Sequence, residues 1–192
     1  MDIYKFLKEA ERVEIIMSQL YLRFSNMYSG DEELAFLFRQ LSREEDQHQE
    51  LIQFELKLVM NNRGEFKEVD LPFEEIAPLL KRAEEVLRNP GAMAPADALK
   101  LAMEFEKSVA ETHMRKAITL SNPKISNLMN SLGKKDAEHY DFLAKLARKR
   151  GILPVERVIP QAVPASAEAE ELAGAVVGEE KTRPPQDAHK GN

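Results

Sequence analysis

The chain has 192 residues, enough for one domain with a hydrophobic core, and 43% hydrophobic with 31% charged residues is an ordinary balance for a soluble globular protein. It contains no cysteine, which excludes disulfides, Cys-ligated zinc, iron–sulfur clusters and thiol catalysis. The net charge is −6 with acidic and basic residues interspersed, and no apolar run approaches a membrane span, so we expect a cytoplasmic protein that binds neither nucleic acid nor membrane.

Four long stretches carry apolar residues at the spacing of helices. Residues that cap or interrupt helices mark their ends, among them Asp31 before the second stretch and "SNP" (121–123) before the fourth. The sequence therefore predicts an all-α protein. Its long helices are expected to cover, in chain order, residues 3–24, 31–60, 95–120 and 123–150.

A long connection, residues 61–94, separates the second and third helices, and "PFEEIAPLLKRAEEVLRN" (72–89) within it is predicted to form a short helix of its own. Two short connections with a long one between them favour an antiparallel four-helix bundle whose middle link crosses its length. We expect this domain to cover residues 1–152. Residues 153–192 are rich in Pro, Ala and Glu and are predicted to be a disordered tail.

Six polar side chains interrupt the apolar faces of the four predicted helices. In the second and fourth helices a carboxylate and an imidazole stand three residues apart, close to one helical turn, so both project the same way. The first and third helices carry one carboxylate each. In chain order these residues are Glu14, Glu45, His48, Glu106, Asp136 and His139.

The spacing of these residues indicates one helical hairpin used twice. The second carboxylate of each half follows the first by about 31 residues in the first half and about 30 in the second. Seven residues after the first carboxylate comes Tyr21 in one half and His113 in the other. Each half therefore contributes two carboxylates and one imidazole.

Buried carboxylates are costly in an apolar interior, and two divalent cations would balance the charge of four of them. Two imidazoles complete an oxygen and nitrogen ligand set that suits iron or manganese, whereas zinc would bind but usually prefers fewer ligands. A lone Glu-x-x-His pair is most often surface charge, but its repetition at matching offsets favours a metal site. Four neighbouring carboxylates lie off the apolar faces and are predicted to be solvated: Glu11, Glu44, Glu104 and Glu138.

Four segments resemble the helices of the rubrerythrin-type branch of the ferritin-like superfamily: "AERVEIIMSQLY" (10–21), "LSREEDQHQELI" (41–52), "LAMEFEKSVAETH" (101–113) and "KKDAEHYDFLAKL" (134–146). The resemblance covers about residues 1–150. It implies a ferritin-like bundle in which the six residues hold two iron ions, with Asp136 standing where Glu is usual. Tyr21 is at a position where the family often has a tyrosine, and is either plain core or a hydrogen-bond donor to a ligand carboxylate. His113 departs from the family pattern, as an added ligand or as the partner of one.

The resemblance also implies a function: an oxidoreductase that couples metal oxidation to the reduction of peroxide or dioxygen. Typical rubrerythrins carry a Cys-rich rubredoxin-like domain that delivers electrons, so this cysteine-free chain would need an external electron donor. The alternatives are a non-catalytic protein that binds or stores iron and a structural bundle that holds zinc. Whether the chain is an enzyme stays open at this point. We expect a homodimer or a higher homo-oligomer.

Overall fold

The computed structural model describes residues 3–61, 76–89, 91–120 and 122–154, and these form five α-helices. The helices are α1 (Ile3–Met27), α2 (Glu32–Asn61), α3 (Ala77–Arg88), α4 (Pro95–Thr119) and α5 (Pro123–Lys149). The four predicted long helices are present with ends shifted by at most a few residues, and α3 lies within the predicted crossover link. The predicted tail, apart from its first two residues, and most of the link lie outside the described residues.

The helices pair as two hairpins. α1 packs along α2, α4 packs along α5, and the short α3 lies against α1. The prediction of an all-α, ferritin-like helical bundle is confirmed, since the described segments contain no strand. Within those same segments, no helix combines the length and the apolar character that crossing a membrane requires.

Capping residues fix where the second helix of each hairpin begins. The side chain of Asn122 accepts hydrogen bonds from two backbone N–H groups in the first turn of α5. Asp31 caps α2 with one such bond, since its Oδ1 accepts a hydrogen bond from the Leu34 N–H at 3.1 Å. Arg150, just after α5, donates to both carboxylate oxygens of Asp31. This contact ties the end of one hairpin to the start of α2 in the other.

An aromatic cluster between α1 and α2 supports one end of the bundle core. The rings of Phe24 and Phe38 lie 5.1 Å apart, and Tyr28 stands 6.2 Å from each of them. Tyr21 stacks on Phe38 at 6.0 Å and is fully buried. Edge-to-face and offset contacts of this kind hold the rings in fixed orientations. The Tyr21 hydroxyl is therefore presented to the bundle interior from a rigid support.

Among the described glycines, Gly133 is the one that packs closely against another helix, because it lies where α5 meets α4. A Cβ at this position would lie 2.8 Å from Met114 Cγ and 3.0 Å from the Ala110 carbonyl oxygen. We expect Gly133→Ala to lower the free energy of unfolding by about 1–3 kcal/mol, because a backbone carbonyl cannot rotate away and the helices must separate. This is the net effect: the clash costs more than the gain of about 1 kcal/mol that Ala brings to a helix interior. Urea denaturation would measure it, with the exposed Asn130→Ala as control; an equal or higher midpoint for Gly133→Ala would contradict the close approach.

Candidate metal centre

All six polar residues singled out in the sequence project into the centre of the bundle. Glu14 comes from α1, Glu45 and His48 from α2, Glu106 from α4, and Asp136 and His139 from α5. Five of them are 0% exposed and His48 is 5% exposed. Apolar residues one turn away on the same faces are buried as well, so the helical periodicity that buries the core also buries these side chains.

Glu45 lies between the two histidines of the Glu-x-x-His and Asp-x-x-His motifs. Its Oε2 is 2.9 Å from His48 Nδ1, and its Oε1 is 3.0 Å from His139 Nδ1. The two imidazole rings are nearly parallel, with centroids 5.5 Å apart and an interplanar angle of 14°. Each oxygen of one carboxylate thus faces a different imidazole. This geometry is suited to a carboxylate that bridges two cations.

The donor atoms divide into two sets that share Glu45. The first set contains Glu14, Glu45, His48 and Asp136, and the second contains Glu45, Glu106 and His139. Within each set the donor atoms all lie within 4.8 Å of one another. The sets are unequal, with four residues against three, because Asp136 belongs only to the first.

The hydrogen-bonding state of the buried carboxylates supports a metal at this position. Both oxygens of Glu14, Oε2 of Glu106 and Oδ1 of Asp136 have no hydrogen-bond partner in the described part of the chain. Buried polar atoms are almost always satisfied, and each exception needs an explanation. Cations bound by the two donor sets would satisfy these oxygens and neutralise the carboxylates. The residues present therefore fit a di-metal carboxylate site.

Burial changes the ionisation of these carboxyl groups in the metal-free chain. Burial, assisted by the charge of Glu45, raises the pKa of Glu14 and of Glu106 to about 8. The same two causes raise the pKa of Asp136 well above its usual value. Burial also acts on Glu45, but the nearby imidazoles of His139 and His48 outweigh it and lower the pKa of this carboxyl group. The shared carboxylate is the one that stays ionised.

The pKa values of His48 and His139 are raised, although burial alone would lower them. Burial favours the neutral imidazole, but the nearby carboxylates of Glu14 and Glu45 raise the pKa of His48 to about 10. For His139, the nearby carboxylates of Glu106 and Glu45 overcome burial and raise the pKa to about 12. Both rings hold a second proton in the metal-free chain, and a cation must displace that proton to bind the ring nitrogen.

Tyr21 is both a core residue and a hydrogen-bond donor. Its hydroxyl donates to Glu106 Oε1 at 2.7 Å. Burial and the nearby charge of Glu106 raise the pKa of the Tyr21 hydroxyl well above its usual value, so it keeps its proton. The bond leaves Oε2 of Glu106 for the second donor set. Tyr21 thus fixes the orientation of a candidate ligand from the opposite hairpin.

His113 occupies the corresponding position in the other half and contacts Asp136. Its Nδ1 is hydrogen-bonded to Asp136 Oδ2 at 2.9 Å, and its Nε2 is 3.8 Å from Glu14 Oε1. Burial lowers the pKa of His113, so the ring is neutral. It belongs to neither donor set. The structure thus places His113 as the partner of a candidate ligand, where the shorter Asp136 side chain replaces the usual Glu.

Glu44 was predicted to be solvated; its side chain is 29% exposed, but the prediction missed its contact with the candidate metal centre. Its Oε2 accepts a hydrogen bond from His139 Nε2 at 2.7 Å. The bond occupies Nε2 of His139 with a carboxylate and directs Nδ1 toward Glu45. Metal-binding histidines typically donate their other ring nitrogen to a carboxylate in this way. The periodicity of α2 could not reveal this contact, because it depends on how closely α5 passes α2.

The prediction for Glu11 is wrong, whereas those for Glu104 and Glu138 are confirmed. Glu11 is only 6% exposed and accepts hydrogen bonds from Lys8 and Gln53. Glu104 and Glu138 are exposed and form ion pairs at the surface. The Gln53 contact joins α1 to α2 and accounts for the burial of Glu11, which the polarity of its neighbours in sequence did not indicate.

The sequence profile of the rubrerythrin family matches residues 5–147. The chain belongs to the rubrerythrin family. The matched region contains the six buried residues, together with Tyr21 and His113. With no cysteine in the sequence, no rubredoxin-like domain is evident. Comparisons with curated proteins and with solved structures gave no match.

Proposed function

We propose that this rubrerythrin-family chain is a di-iron oxidoreductase that couples oxidation of its metal pair to the reduction of hydrogen peroxide or dioxygen. The observation that carries the proposal is the position of Glu45, shared by two donor sets inside one bundle. When bound, two ferrous ions would supply two electrons, which together with two protons taken up from solvent reduce one molecule of hydrogen peroxide to two of water. Manganese in one or both positions is the alternative that the same oxygen and nitrogen donors accept.

The protein residues divide the work of holding and orienting the metal pair. Glu14, His48 and Asp136 would hold the first ion, Glu106 and His139 would hold the second, and Glu45 would contribute to both. Tyr21 and His113 fix the orientation of a carboxylate in each half through short hydrogen bonds. Apolar core side chains surround the donors, five of which are fully buried. Such outer partners set how tightly and in which geometry ligands bind.

Two partners follow from this proposal. An external electron donor has to reduce the metal pair after each turnover, because the sequence contains no cysteine for an internal iron–sulfur or rubredoxin centre. A second copy of the chain is the other. Phe36 and Phe142 are 69% and 50% exposed and line one groove with Leu37 and Leu146, which gives α2 and α5 an apolar face for self-association.

Elemental analysis of protein purified from its native source tests the metal, and rapid mixing of the reduced protein with peroxide tests the chemistry. We expect about two iron ions per chain and an absorbance change complete after one peroxide per metal pair. Redox-silent zinc would favour a structural bundle instead. Slow oxidation with retained iron in a cage-sized assembly would favour storage.

A further inference from the structure

A surface cleft of about 400 Å³ opens between α2 and α5 next to the donor atoms. His48, a member of the first donor set, forms part of its wall, together with Glu44 from α2 and Ser131 and Lys135 from α5. The cleft therefore reaches from solvent to the edge of the candidate metal centre. The other five donor residues are fully buried.

Glu44 connects this cleft to the second donor set. Its side chain is 29% exposed, whereas that of His139, to which it is hydrogen-bonded, is 0% exposed. One end of the contact thus lies in solvent and the other lies within the donor atoms. Through Glu44 and His48 the cleft reaches both donor sets, since His48 serves the first and His139 serves the second.

Glu44 is the only carboxylate among the described residues that line the cleft. Lys135 is the basic residue of the wall, but its ammonium group is held at 2.7 Å by the exposed carboxylate of Glu138. Glu44 lies beside neutral Gln47 and Ser131 and offers carboxylate oxygens, which divalent cations bind. A carboxylate on a concave surface raises the local concentration of cations and their rate of association.

We propose that the cleft between α2 and α5 is the route by which divalent cations reach the metal centre, and that Glu44 is their first ligand. A cation entering from solvent would bind the Glu44 carboxylate and break its hydrogen bond with His139. It would then pass to Glu45 and to Nδ1 of His139, which would give up its proton to solvent, after which the hydrogen bond from His139 Nε2 to Glu44 forms again. The inference rests on the proposed metal centre and adds a residue and a surface that the two donor sets do not include.

The rate of Co²⁺ uptake by the metal-free, full-length chain tests this route, followed by the visible absorbance of bound cobalt in a stopped-flow instrument. Glu44→Gln keeps an oxygen that accepts the hydrogen bond from His139 but removes the charge. We expect uptake about tenfold slower with the final amount of bound cobalt unchanged. Glu50→Gln removes a charge from an exposed position of α2 that does not line the cleft, and should leave the rate unchanged.

A second variant tests the cleft without altering charge. Ser131→Phe places a large side chain in the wall and is expected to slow uptake while the final amount of bound cobalt stays the same. Wild-type uptake rates in both Glu44→Gln and Ser131→Phe would overturn the route. A lower final amount in Glu44→Gln would make Glu44 a positioning residue for His139 and overturn its role as first ligand. A wild-type chain that binds no cobalt would overturn the metal centre itself.

Discussion

Glu45→Gln is expected to reduce the metal content of the chain from about two ions to fewer than one. Glu45 contributes to both donor sets, and each of its oxygens faces one histidine. The amide has nearly the same shape but no charge, and its nitrogen cannot bind a cation. Both positions therefore lose a ligand at once. Equilibrium dialysis against Co²⁺ or Fe²⁺, with elemental analysis of the protein, would measure the loss.

Glu106→Gln is the matched control for this prediction. Glu106 is as fully buried as Glu45 but belongs only to the second donor set. We expect this variant to retain about one ion, held by the four residues of the first set. Circular dichroism should show the same helix content in both variants. Retention of two ions by Glu45→Gln, or loss of both from Glu106→Gln, would show that the sets are not divided as the geometry indicates.

The metal-free chain is expected to become less stable as the pH rises from about 5 to about 9. Glu14 and Glu106 have a pKa of about 8 in the folded chain, against an ordinary value of 4.5. Between these values the folded state holds protons that the unfolded state has released, so raising the pH favours unfolding. His48, with a folded pKa of about 10, acts in the same direction above its ordinary value of 6.5. Glu45 acts in the opposite sense, but only at pH below its ordinary value of 4.5.

The expected change is on the order of several kcal/mol, since each unit of pKa difference corresponds to about 1.4 kcal/mol. Urea denaturation at pH 5, 7 and 9, with a chelator present, would measure it. In the metal-loaded chain the cations take the place of these protons, and stability should vary much less over the same range. Glu14→Gln should flatten the metal-free profile. A metal-free chain equally stable at pH 5 and pH 9 would contradict the shifted pKa values.

Helical periodicity accounts for most of what the sequence could predict. A helix repeats its face every three to four residues, so each apolar stripe fixed both the extent of a helix and the direction of the polar residues within it. This was sufficient to place Glu14 and Glu106 in the interior, although each is a single carboxylate with no local motif. The similar spacing between the two carboxylates of each half showed that Glu14 and Glu106 are equivalent, although they lie more than ninety positions apart.

The contacts that the sequence could not predict depend on distances between helices. Glu44 lies beside the apolar stripe of α2 and reaches His139 only because α5 passes close to it. The bond from His113 to Asp136 requires the same kind of information, since α4 and α5 must approach for it to form. Periodicity gives the direction of a side chain on its own helix and leaves the spacing of neighbouring helices undetermined.

Each donor set draws residues from both hairpins, so neither hairpin alone can assemble a complete binding position. Glu14 and Glu45 reach Asp136 across the interface, and Glu45 likewise meets Glu106 and His139. A bound ion would therefore hold the two hairpins together. After a single proteolytic cut in the connection between α2 and α3, the two fragments should stay associated to a higher concentration of urea with metal bound than after a chelator removes it.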